Sequence, residues 1–116
     1  MSYAEMEAFL NARLDEKAEM ANACLAFVVP RFMGVENIKL RALFERMLRE
    51  VEAGRKLLDL YERAKSYRNQ VFAQPEPRSI SSEMRAVTQM MALEQVLKLR
   101  AAVYSDHPDY RQEWKP

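Results

Sequence analysis

Ser105, Asp106 and His107 stand side by side in the stretch SDHPDYRQEWKP, which also holds the single Trp and the single His of the chain. A hydroxyl, a carboxylate and an imidazole are the parts of a hydrolytic triad, but neighbours in sequence do not face one another, and their order supplies no orienting geometry. Other chemistries lack parts as well. With one His, one Cys (Cys24), no CxxC and no Gly-rich phosphate loop, the thiolate–metal, Cys/His-nucleophile and P-loop readings all lack parts. A carboxylate-bridged di-metal bundle would need Glu-x-x-His pairs on facing helices, and the sequence has none. Glu45, Glu52 and Glu62 interleave with Arg46, Arg49, Arg55, Lys56 and Arg63 as on a solvated helix face. The residues therefore predict no catalytic group, no metal and no cofactor, and a protein that is not an enzyme.

The elements that carry these residues are predicted to be helices. Two Gly in 116 residues, few β-branched residues and abundant Ala, Leu, Met, Glu, Lys and Arg favour a single all-α domain spanning 1–116. A chain of this length buries roughly two-thirds of its extended surface, enough for one modest core. Ser2 and Glu5 have capping-box spacing, and Met6, Leu10, Leu14, Ala18, Ala21 and Leu25 recur at helical steps, predicting a helix over about 3–27. Pro30 and Gly34 end it. A second helix is predicted over about 35–72, on the order of 55 Å long. Two prolines in AQPEPRSISS interrupt the pattern, Ser81 or Ser82 is the expected cap, and a third helix follows over about 82–104. Pro108 suits a first helical position, so a short helix over 108–114 would set Tyr110 and Trp114 on one face, as a clasp on a three-helix bundle.

Two surfaces could carry a function. Leu40, Phe44, Met47, Val51, Gly54, Leu58 and Tyr61 alternate steps of four and three, a coiled-coil seam, and are expected to form an oligomer interface. Gly54 costs about 1 kcal/mol against Ala in a helix, which close approach of another helix would explain. The third helix is apolar around most of its circumference and also wants neighbours. This favours a homo-oligomeric adaptor or inhibitor that binds a partner protein. The alternative is a binder of nucleic acid or a small anionic ligand through Arg63, Lys65, Arg68, Arg78 and Arg85, with Tyr67 available for stacking. With 18 basic against 17 acidic residues, bulk charge gives that alternative no help. Cys24, alone in an apolar stretch, reads as a buried structural thiol in a reducing, cytoplasmic compartment. The acidic N-terminal stretch and the absence of a long apolar run predict neither a secretion signal nor a membrane span.

SDHPDYRQEWKP resembles the ending D-H-P-D-Y-R-x-E-W-[KR]-P of an uncharacterised family of small proteins from actinobacteria and their phages. AFLNARLDE is similar to that family's opening helix, and MLREVEAGRKLLDLYE to its central L-R-E-V-E-A-x-R-x-L-L helix. The chain departs from the pattern in having only VVPRFMG where many relatives carry a P-G-P-W turn and an insert, and in lacking the Cys cluster that some carry before the tail. The resemblance implies an accessory protein of bacterial or phage origin, and brings no activity, cofactor or site residue with it.

Overall fold

The computed structural model describes residues 3–116, so Ser2, the predicted first cap, lies outside the described residues. These residues form three α-helices and no strand: α1 Tyr3–Ala23, α2 Gly34–Ala73 and α3 Ile80–Ala102. α1 stops short of the predicted Phe27: Pro30 has no N–H to donate to the Ala26 carbonyl, while Val29 itself keeps α geometry at φ −54° and ψ −43°. The chain instead widens into a π-helical turn, Cys24–Val28, in which the Val29 amide donates to the Cys24 carbonyl, and then tightens into a 3-10 turn, Val29–Arg31. Cys24 is half-buried in this turn rather than buried in a core. Asn37 closes the connection by donating from its side chain to the carbonyls of Val29 (2.9 Å) and Phe32 (3.0 Å). Gly34, at φ 61°, supplies the left-handed residue from which α2 departs.

α2 runs unbroken through Gly54 for 40 residues. The cap of α3 is Ser79, not Ser81 or Ser82. Its extended backbone lets the side chain accept from the Ser82 amide, and Arg78 donates to Glu83 at 2.7 Å across the first turn. The tail also differs from expectation. Residues 108–114 do not form a helix; the Tyr110 amide donates to the His107 carbonyl, His107 Nδ1 accepts from the Asp109 amide at 3.0 Å, and only Gln112–Trp114 makes a 3-10 turn. A side chain that satisfies a nearby amide competes with the helical ladder, and here it wins.

The contacts divide the chain into two compact units, each containing parts of α1 and α2: Asn11–Lys56, and Leu57–Pro116 together with the chain up to Leu10. The first is a helical hairpin. Its core is thin, with Ala18, Ala21, Val29 and Val51 buried, and its sides are held by Lys17–Glu50 and Arg55–Asp15 ion pairs, both 2.9 Å. The second has the larger core, in which Met6, Phe9, Leu10, Leu58, Tyr61 and Val71 are buried together with Ala86, Met90, Leu97 and Ala101 of α3.

Candidate functional site

The predicted seam turns inward within the single chain. In the hairpin unit Val51 is buried, Leu40, Phe44 and Met47 are half-buried, and a Cβ placed on Gly54 would come within 2.8 Å of Leu14 Cδ2. In the other unit Leu58 and Tyr61 are buried, Tyr61 with its ring 6.4 Å from that of Tyr3.

Where α2 and α3 pack in the second unit they leave a shallow groove of about 450 Å³. Leu60, Arg63, Ala64 and Tyr67 line it from α2, and Gln89, Ala92 and Leu93 from α3. These are i, i+3, i+4, i+7 positions, the residues one helix presents along a single face. On α3 the same face continues with Val96, Leu99 and Val103, all exposed.

The six residues considered for anion binding do not act as one surface. Arg63 and Tyr67 line the groove, and Arg63 is paired with Asp59 at 3.0 Å. Lys65 turns the other way, to Glu62 (3.1 Å) and Glu7 (3.6 Å), and lies over the Tyr61 ring. Arg78 meets Glu76 at 2.6 Å and Glu83 at 2.7 Å, donates to the Gln74 carbonyl, and stacks on Phe72. Arg68 lies near enough to Tyr61 to favour its ionised form, and Arg85 is exposed. Three of the five cations thus have carboxylates of their own chain beside them.

Sequence reasoning missed Glu7. It follows Met6 and precedes Leu10 by three residues, which puts it on the buried side of α1, and that spacing was the available signal. Burial, then a hydrogen bond and like charge from Glu62, push its carboxyl up to about 7, with Lys65 opposing. Glu62 moves the other way, held down by its hydrogen bonds from Glu7 and Lys65. Burial and the charges of Glu94 and Glu7 raise the Tyr61 hydroxyl. The two carboxyls thus shift in opposite directions beside a lysine; none of the residues lining the groove belongs to this cluster. Among the described residues no group of His, Cys, Asp and Glu could hold a metal ion, and no helix is long and apolar enough to cross a membrane.

The triad-like residues are occupied otherwise. His107 caps the tail turn through Nδ1 and sets its ring edge-on to Phe9 at 5.5 Å. Phe9 is the centre of an aromatic cluster with Tyr104, Tyr110 and Trp114, at 6.1, 6.3 and 5.2 Å, and Arg111 pairs with Glu5 at 2.7 Å. Trp114 is 1% exposed.

The opposite condition holds around the helical connection of the hairpin unit. Phe27 (71% exposed), Phe32, Met33 (86%), Val35 and Ile38 (67%) all face solvent, so large apolar side chains surround the turn.

A family model described as a family of unknown function (DUF6221) matches residues 3–116, nearly the whole chain. The chain belongs to that family. No curated protein and no solved structure matches it. For this DUF6221 member, therefore, the geometry described above is what bears on function.

Proposed function

We propose that this DUF6221 member is a helical interaction protein, homo-oligomeric in solution, that acts as an adaptor or inhibitor by occupying a partner protein rather than by catalysis. The observation that supports this reading is the uncovered apolar surface around the helical connection. Phe27, Phe32, Met33, Val35 and Ile38, five large apolar side chains within twelve residues, are all exposed there, and clustered exposed apolar side chains mark interaction surfaces. Helices with an uncovered apolar face reach stability by packing on further helices, and a symmetric pair of hairpins is the simplest supply. The seam expected to carry the oligomer packs within the chain, so the contact is assigned to the connection instead. Binding of nucleic acid or a small anion has less support, because Arg63, Lys65 and Arg78 already neighbour carboxylates. The half-buried single thiol suits a reducing cytoplasm. The likeness of the tail to proteins of actinobacteria and their phages suits a small accessory protein, phage-encoded or bacterial.

Light scattering across a micromolar concentration series tests the oligomer. The parent should show a mass above one chain, and Phe27→Ser with Met33→Ser and Ile38→Ser should return it to one chain with its helical content intact. A parent that stays monomeric throughout the series removes the reading.

A further inference from the structure

We infer that the groove between α2 and α3 is a docking site for an amphipathic helix, flanked by acidic residues, from a partner protein. This deepens the interaction reading and rests on it, while using a surface separate from the helical connection. The groove is shallow and open, whereas sites for small molecules enclose most of their ligand. Its walls are two helices, and the recurrent occupant of such a cleft is the apolar ridge of a third. The ridge has a track to follow, since Gln89, Ala92, Val96 and Leu99 recur at helical steps along α3 and Val103 continues them at its C-cap, about four turns in all.

Charge specifies the occupant. α3 contains two acidic residues: Glu83 pairs with Arg78, and Glu94, five residues on from Gln89, falls on the side of the helix away from the groove, where it acts on Tyr61. Its groove side is bounded by Arg85 at one end and Arg100 towards the other, both exposed, and neither forms an ion pair among the described residues. The rim is therefore cationic above an apolar floor, complementary to carboxylates flanking an apolar stripe. The same two residues disfavour a second copy of this chain. Arg85 and Arg100 lie symmetrically about the midpoint between Ala92 and Leu93, so two-fold antiparallel packing of α3 on α3 would set Arg85 of one copy against Arg100 of the other.

The probes are a labelled helical peptide with leucines at i, i+3, i+4 and i+7 flanked by glutamates, and its counterpart with lysines in place of the glutamates. Anisotropy is read with the whole protein. The glutamate peptide should bind at least about tenfold more tightly than the lysine peptide. Ala92→Glu should abolish binding, and Arg85→Glu with Arg100→Glu should invert the preference, with melting unchanged because all three side chains are exposed. Equal affinity for the two peptides, no binding up to millimolar protein, or binding that survives Ala92→Glu overturns the inference. So does a single-stranded oligonucleotide that binds through Arg85 and Arg100 irrespective of Ala92→Glu, which would make the surface electrostatic alone. If Ala92→Glu converts an oligomer into single chains, the groove holds a second copy and the inference also fails. An oligomer that persists while neither peptide binds removes the groove and leaves the interaction reading standing.

Discussion

Glu7 is a nearly buried carboxyl that titrates outside the ordinary carboxylate range. Its carboxyl, raised from the ordinary range to about 7, holds a proton in the folded chain that it releases in the unfolded one. The folded state binds more protons between about pH 4.5 and 7, so stability from this group is present below that window and is lost as pH rises through it. Glu62, shifted down, contributes with the opposite sign at lower pH. Glu7→Gln keeps a donor towards Glu62 and removes the charge. It should raise stability at pH 8 by on the order of 1 kcal/mol, with the advantage gone by pH 4; chemical denaturation at both values checks this, and a variant less stable at pH 8 would show that the Lys65 pair dominates. Gly54 gives a second test. Replacement by Leu gains about 1 kcal/mol of helix propensity but must displace Leu14, and overpacking costs about 1 to 3 kcal/mol. Gly54→Leu should therefore lower the melting temperature, and Leu14→Ala in the same chain should recover part of the loss, because the two sites share one space. A higher melting temperature for Gly54→Leu alone would mean that Leu14 moves aside at little cost.

Among the elements, the tail is the most specific. It is not a helix, yet it brings Tyr110 and Trp114 onto Phe9 of α1 and ties Arg111 to Glu5. Because the indole is buried, Trp114→Ala should cost roughly 3 kcal/mol, the scale of removing a large core side chain. Truncation after Tyr104 should cost at least as much. No described residue lies within hydrogen-bonding range of the indole Nε1 or the Tyr110 hydroxyl, so Trp114→Phe and Tyr110→Phe should cost far less than alanine at either position. The single Trp makes fluorescence diagnostic: emission should be blue-shifted in the native state and move red on unfolding. Red-shifted, easily quenched native emission together with an unaltered melt on truncation would assign the tail to solvent and to recognition.

For the whole molecule, the two units differ in what they bury. Asn11–Lys56 hides chiefly alanines and valines, whereas the other unit hides Met, Phe, Leu, Tyr and Trp side chains. Local opening follows such differences. Amide exchange should therefore be faster in the helices of the hairpin unit than in α3 when the protein is dilute. If the proposed association occurs at high concentration, protection should rise around the connection, since binding stabilises the state that binds. Uniform protection at all concentrations would contradict both the thin core and its proposed cover.

The sequence by itself determined that the chain is helical, where its three long helices lie to within a few residues, and that the aromatic tail is a distinct feature, because propensity, prolines and hydrophobic period are local properties. Local pattern also located the seam on α2 and the small residue within it. It could not say which helix would fill that seam, since a period of 3.5 residues reads the same whether the partner is α1 or another chain. Nor could it end the chain correctly: Pro108 and the aromatic spacing favour a helix over 108–114, but the His107 imidazole captures the Asp109 amide and the turn prevails. Three outcomes needed the tertiary structure. The Glu7 carboxyl is raised because packing buries it and α2 brings Glu62 beside it. Arg63, Lys65 and Arg78 pair with carboxylates two to five residues away, and Lys65 also reaches Glu7, a partner that only the packing of α2 on α1 supplies. The groove exists because α2 and α3 pack through some of their apolar faces and leave others open, a choice made by the packing and not by either helix alone.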